Sequence, residues 1–302
     1  MKVGLLFPGQ GAQAVGMGAE LARRSEVAAR LYQQAADVLG FDLLKLCSEG
    51  PAEQLNRTEF GQPALFVHSL AALKQLVLER PEVWDTVVGV AGLSLGEYTA
   101  VAAAGGVDFE AGLRLVHLRG RAMQAAADAV SSGMSSILGL ELDKLREVCE
   151  QASQGDQLVR VANLLCPGNI AISGHVAALE QAEQMSLAAG AFKAVRLQVA
   201  GAFHTAIMQP AVQQLASALE SVDFGVTRVQ VYSNVDAAPH TQPADFRRLL
   251  AEQVVAPVLW EASLEKMISD GCEQFIEVGA GRVLAGTLKR INRKIPCENF
   301  GD

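Results

Sequence analysis

The sequence predicts an α/β fold with a mainly parallel sheet, carrying a smaller α+β domain inserted into it, and three observations support this. Apolar runs at residues 3–7, 87–91, 229–232 and 274–278 have strand length, and each leads through Gly, Ser, Asn or Pro into a helical pattern. That recurrence is the mark of strands and helices alternating around a parallel sheet. Between about residues 128 and 198 the rhythm changes. Candidate strands at 135–140, 158–163, 170–173 and 194–198 enclose helix-like segments at 141–151 and 176–189. This strand-helix-strand-strand-helix-strand order is that of a ferredoxin-like unit. Finally, a chain of 302 residues, half of them hydrophobic, can bury one large core and still carry an insertion. Residues 1–127 and 199–302 are thus expected to form the large domain and residues 128–198 the insert, with a ligand cleft between them.

Taken in chain order, the first strand runs into Phe7-Pro8-Gly9-Gln10-Gly11-Ala12-Gln13. Its glycines allow backbone N–H groups to face a ligand, which suits an oxyanion hole, with a plain tight turn as the alternative. A dinucleotide reading of Gly9, Gly11 and Ala14 is discounted, because Pro8 opens the loop and no strand-ending acid stands about 20 residues on. The second strand ends in Gly92-Leu93-Ser94-Leu95-Gly96 and a helix-like run follows. A serine at the apex of such a turn is lifted clear of the sheet, which makes Ser94 a candidate nucleophile, although a purely structural turn can have the same spelling. Asp108 reads as the N-cap of a helix reaching about Ala127. At about 100° per residue, Arg119 falls on the apolar face with Leu115, Val116, Met123 and Ala126, whereas Arg114 and Arg121 fall opposite. An inward guanidinium needs either an internal carboxylate or an incoming anion, and its planar fork suits a carboxylate. A serine nucleophile also needs a base. Of five histidines, His68 and His117 lie in helical patterns, His175 at a helix start and His240 in a Pro-rich loop. His204, in Gly201-Ala202-Phe203-His204-Thr205, lies between a strand and a helix, where active-site loops of such sheets fall, and is either the base or a structural histidine.

Composition narrows the function classes. With 33 acidic against 25 basic residues, the net charge of −8 opposes sequence-independent nucleic-acid binding. Cys47, Cys149, Cys166, Cys272 and Cys297 are scattered, odd in number and form no CxxC pair, which favours reduced thiols over disulfides or zinc. The opening apolar run is too short for a signal peptide, and no run approaches the roughly 18 residues of a membrane span. A soluble, cytoplasmic protein without a metal site is expected.

Taken together, these segments resemble the malonyl-CoA:acyl-carrier-protein transacylase family over nearly the whole chain. The likeness is carried by Phe7-Pro-Gly-Gln-Gly, Gly92-Leu-Ser-Leu-Gly-Glu-Tyr98, His117-Leu-Arg-Gly-Arg-Ala-Met123, Gly201-Ala-Phe-His204, Gln253-Val-Val-Ala-Pro-Val-Leu-Trp260 and Glu277-Val-Gly-Ala-Gly281, in that order. The resemblance implies a hydrolase-like large domain with a ferredoxin-like insert. It implies Ser94 as the acylated nucleophile, His204 as its base and Arg119 as the clamp on the malonyl carboxylate. Backbone N–H groups of Gln10 and Leu95 would form the oxyanion hole, and the main-chain carbonyl of Gln253 would orient the histidine in place of a third acid. Phe203 suits a malonyl-sized pocket, and Asn163, followed later by Cys166-Pro167-Gly168-Asn169, stands for the Asn of the family's Asn-x-Pro-Gly-Gln pattern in the insert.

Three departures stand out: Leu93 where the family often has His, Asn169 where it has Gln, and Gly279-Ala280-Gly281-Arg282 where it has Gly-Pro-Gly-Lys. The implied reaction moves malonyl from malonyl-CoA to the phosphopantetheine thiol of acyl carrier protein, with no metal or redox cofactor, in fatty-acid or polyketide synthesis. The rival reading is an acyl-carrier or acyl-CoA serine hydrolase on the same fold. Carrier docking is expected to use basic residues near the cleft, with Lys193, Arg196, Arg282, Lys289 and Arg290 as candidates.

Overall fold

The computed structural model describes residues 1–301. Its first sheet contains β1 (Val3–Phe7), β2 (Val87–Gly92), β7 (Gln230–Tyr232), β8 (Pro239–His240), β9 (Gln274–Val278) and β10 (Cys297–Phe300). Their order is β10-β9-β1-β2-β7-β8, parallel throughout except for the β7–β8 pair at one edge. The central strand β1 is buried along its whole length, as a strand covered by helices on both faces must be. The second sheet contains β3 (Ser132–Leu138), β4 (Val159–Cys166), β5 (Asn169–His175) and β6 (Lys193–Arg196), in the order β4-β5-β3-β6 and antiparallel throughout. With helices Leu142–Ala152 and Val176–Ala188 it closes over a separate apolar core that includes Ile137, Leu145, Ile172 and Leu179. The fold class is therefore the expected one: a mainly parallel α/β body and an antiparallel α+β subdomain.

Differences from the sequence reading lie at the edges. β3 begins at Ser132 because Ser132, Gly133 and Met134 pair with His175, Gly174 and Ser173. It stops before Gly139, whose φ of 80° turns the chain out of the sheet. β8 and β10 were not foreseen. One has two residues and the other reads Cys-Glu-Asn-Phe on a sheet edge, so neither carries the apolar run of an interior strand.

The strand order places β1 where the chain's direction of travel across the sheet reverses, β2 and β7 lying to one side and β9 and β10 to the other. Ligands bind parallel sheets in the crevice beyond the carboxyl ends of strands at such a point. Beyond the ends of β1, β2 and β9 lie the Pro8–Gly9–Gln10 loop, the Ser94 turn and the Gly279–Gly281 turn.

Candidate active site

The Ser94 turn is held by close packing on both sides. A Cβ on Gly92 would sit 1.9 Å from the Gly96 carbonyl carbon, and one on Gly96 would sit 2.1 Å from the Phe7 carbonyl oxygen. Only glycine lets β1, β2 and the helix Leu95–Ala103 meet there. Ser94 itself has φ 51° and ψ −103°, a strained conformation for a non-glycine residue and one that recurs at functional turns. The Ser94 N–H donates to Asn234 Oδ1 (2.7 Å), and Asn234 Nδ2 donates to the Gly92 carbonyl (2.8 Å), so Asn234 pins the turn from β7's side.

The sheet and the loop after β6 bring His204 to this serine across 110 residues of sequence. His204 Nε2 lies 2.9 Å from Ser94 Oγ, and Nδ1 lies 2.8 Å from the Gln253 carbonyl oxygen. Because a carbonyl only accepts, the proton sits on Nδ1 and the lone pair of Nε2 faces the serine. His204 is buried with φ 61°, a second strained position. Burial first, then the charge of Arg119, depress its pKa to about 4, against the raising effect of the Gln253 carbonyl. The imidazole is therefore neutral at pH 7 and able to take a proton.

Arg119 projects from the helix Phe109–Asp128, whose N-cap is Asp108, its side chain accepting from the Ala111 N–H. At 1% exposure the guanidinium is fully inside. Its Nη1 donates to Gln62 Oε1 (2.8 Å), and its Nη2 to Gln253 Oε1 (2.9 Å) and to Ser94 Oγ (3.1 Å). Its carbon lies 5.0 Å from the centroid of the Tyr98 ring. The internal salt bridge weighed from the sequence is not formed: among the described residues no carboxylate pairs directly with Arg119. Burial lowers its pKa from the ordinary value, with Tyr98 and the Glu97 carboxylate opposing that. Neutral amide oxygens hold the cation in place without cancelling it.

The other expected residues fall as follows. Leu95 opens its helix, so its N–H has no preceding turn to bond. Gln10 follows Gly9, whose added Cβ would be 2.3 Å from the Leu93 carbonyl, and its side-chain amide donates to Thr58 Oγ1 (3.2 Å). Phe203 is buried beside His204. A cleft of about 380 Å³ opens from His204 between Val255 and Pro257 of the body and Arg146, Arg160 and Val161 of the insert. Asn163 stands apart, on the seam where Leu164 N and the Val258 carbonyl (2.9 Å) join β4 to the body. Asn169 bonds Ser136 within the insert sheet (2.7 Å). Of the basic docking candidates, Arg196 is paired with Glu183 (2.9 Å) and Arg290 donates to the Pro167 carbonyl (2.8 Å).

Sequence reasoning missed four groups: Gln62, Glu97, Asn234 and the side chain of Gln253. Gln253 Nε2 donates to Glu97 Oε2 (2.6 Å) and to the Ser94 carbonyl (3.0 Å), so one residue touches the Ser94 backbone, His204, the Arg119 guanidinium and a buried acid. An acid in the first turn of a helix is ordinarily a solvated partner of the helix dipole. The signal to the contrary was the apolar run after Glu97, which marks a helix buried on every side. Gln62 carried the same signal within the long apolar helix Thr58–Glu79.

A strained serine at a strand-to-helix turn, met by an imidazole whose far nitrogen is already bonded, is the arrangement of α/β enzymes that work through a serine. The chain belongs to the acyl transferase family, the model of the acyl transferase domain matching residues 5–297. It is 40% identical over 294 residues to the malonyl CoA-acyl carrier protein transacylase of Bacillus subtilis, covering 97% of this chain and 92% of that one. It is 43% identical over 299 residues to the mitochondrial malonyl-CoA-acyl carrier protein transacylase of Homo sapiens, covering 95% and 76%. Among solved structures, an acyl carrier protein S-malonyltransferase from Vibrio cholerae superposes with a TM-score of 0.94 at 38% identity, covering 100% of this chain and 97% of that one. A malonyl-transacylase in complex with a type II PKS acyl-carrier protein superposes with a TM-score of 0.96 at 37% identity, covering 100% and 96%. Among the described residues no helix is long and apolar enough to cross a membrane, and no cluster of three or more His, Cys, Asp or Glu could hold a metal.

Proposed function

We infer that this chain transfers malonyl from malonyl-CoA to the phosphopantetheine thiol of an acyl carrier protein through a malonyl ester on Ser94. The observation that carries the reading is the position of Arg119, a buried cation with no carboxylate partner among the described residues, 3.1 Å from the serine oxygen. In a malonyl ester only two C–C bonds of about 1.5 Å separate the ester carbon from the free carboxyl carbon. A cation this close to Oγ is within reach of that short diacid. The names of the relatives and the covering of nearly the whole chain support the same substrate.

In the first half-reaction the Ser94 oxygen attacks the thioester carbon while His204 Nε2 takes the hydroxyl proton. The oxyanion is met by the N–H groups of Leu95 and Gln10. The C–S bond then breaks and the proton passes from His204 to the coenzyme thiolate. In the second half the carrier thiol gives its proton to His204, its sulfur attacks the ester carbon, and Ser94 leaves with the proton returned. The Gln253 carbonyl keeps the imidazole in one tautomer through both halves. No oxidation state changes, so the exchange as written needs no redox cofactor. The scattered free cysteines support a cytoplasmic setting, in which the malonyl units serve fatty-acid or polyketide assembly.

The test is incubation with malonyl-CoA, first alone and then with a carrier protein, followed by intact mass of both proteins. We expect a malonyl adduct on the enzyme that moves to the carrier, and no adduct on Ser94→Ala. An adduct on Ser94→Ala overturns the mechanism. Free malonate accumulating at the same rate with and without carrier would assign the chain to hydrolysis instead.

A further inference from the structure

Glu97 is 2% exposed, and the reaction as derived above does not use it. Its Oε2 accepts from Gln253 Nε2 (2.6 Å) and from the Asn234 N–H (3.1 Å), and the Oε1 of the same Gln253 amide accepts from Arg119 (2.9 Å). One amide thus stands between a buried carboxylate and the guanidinium assigned to the substrate. Of the other groups packed around it, Tyr98 on the same helix and His204 are buried and neutral at pH 7. Strands β1 and β2 contain no titratable side chain, and Tyr232 of β7 bonds Asp270. On the helix Thr58–Glu79, Glu59 pairs with Arg57, His68 bonds Tyr32, Lys74 is exposed and Glu79 pairs with Arg24. On the helix Pro243–Glu252, Asp245 and Glu252 both pair with Arg248, and Arg247 lies against Phe224 and the Val222 carbonyl. Among the described residues, Arg119 is the cation whose charge acts on Glu97.

Resting on the function proposed above, we propose that loading of the malonyl group is coupled to uptake of one proton by Glu97. Before loading, the dry site holds one cation and one carboxylate. Loading brings a second carboxylate to the same guanidinium, and two anions that share one cation away from water repel, which favours protonating one of them. The malonyl carboxylate is the more acidic and touches the cation directly, so the proton goes from solvent to Glu97. Burial already holds Glu97 near neutrality, at about 7, and the added repulsion raises it further. Acetyl brings no second carboxylate and draws no proton.

The measurement is proton uptake in weakly buffered solution at about pH 7.5, read with an indicator dye as enzyme is mixed with malonyl-CoA or acetyl-CoA, with adducts counted by mass. We expect uptake of the larger part of one proton per malonyl-enzyme, since some Glu97 is already protonated at that pH, none per acetyl-enzyme, and none on malonylation of Glu97→Gln. The wild-type enzyme supplies a second reading that depends on no variant: the equilibrium ratio of malonyl to acetyl adduct should rise as pH falls toward 7 from above and level off below it. Equal uptake with both substrates, uptake persisting in Glu97→Gln, or a flat ratio overturns the coupling. Complete absence of a malonyl adduct would instead overturn the function on which it rests, and the coupling with it.

Discussion

The insert closes over Ile137, Leu145, Ile172 and Leu179 with only serines among its buried polar residues, and its charges, such as Arg146 with Asp143 and Lys144 with Glu147, pair at the surface. The large domain, by contrast, sinks Arg119, Glu97, His204, Gln62, Gln253 and Asn234 to within 3% of full burial. Replacing buried charges by an apolar core of similar volume is often neutral or stabilising, so a polar interior of this kind is weak evidence of a role in stability. The contrast separates the polar cluster around Ser94 from the apolar core behind one wall of the cleft.

The largest expected effect breaks the polar side. On the proposed clamp role, replacing Arg119 by Ala removes the partner of a desolvated carboxylate, and malonyl acylation should fall on the order of 10²–10³-fold. Acetyl acylation should fall far less, so the ratio of the two rates in stopped-flow or mass assays decides the point. An unchanged malonyl-to-acetyl preference would remove Arg119 from the role of clamp. The complementary change sharpens the apolar side. Leu145→Ala in the fully buried insert core should cost about 2–5 kcal/mol, seen as a lower urea midpoint. The malonyl-to-acetyl preference should stay as in the wild type.

The smallest effect is in stability against pH, where two buried groups of the polar core oppose each other. His204 is depressed from 6.5 to about 4, so the unfolded chain takes its proton first and stability is lost as pH falls from 6.5 to 4. Glu97 is raised from 4.5 to about 7, so the unfolded chain releases its proton first and stability is lost as pH rises from 4.5 to 7. Each slope amounts to about 3 kcal/mol, and over their shared window they cancel. Glu97→Gln should expose the first slope and His204→Asn the second in urea titrations across pH 4–7. A wild-type slope retained in both variants would contradict these assignments.

Much of the architecture was legible before the structure. Interior strands announce themselves as apolar runs because parallel strands are covered on both faces, and β1, β2 and β9 were found on that signal. β8 and β10 were not, since an edge strand needs no such run. The elbow could be read from Gly92, Ser94 and Gly96 because glycine is what close strand-to-helix packing demands. Glu97 was passed over because a first-turn acid is common on exposed helices, and its burial depends on segments that arrive later in the chain.

By itself the sequence determined the alternation of elements, the change of rhythm that marks the insert, and the face from which Arg119 points inward. Each of these is a local period or a local spacing. Only the tertiary structure decided what Arg119 meets: Gln62 lies 57 residues away, Gln253 lies 134 away, and both present neutral amides. A helical period states the direction of a side chain but not its destination. The destination follows from packing strands and helices distant in sequence into one dry volume, where amide oxygens hold a guanidinium without cancelling its charge.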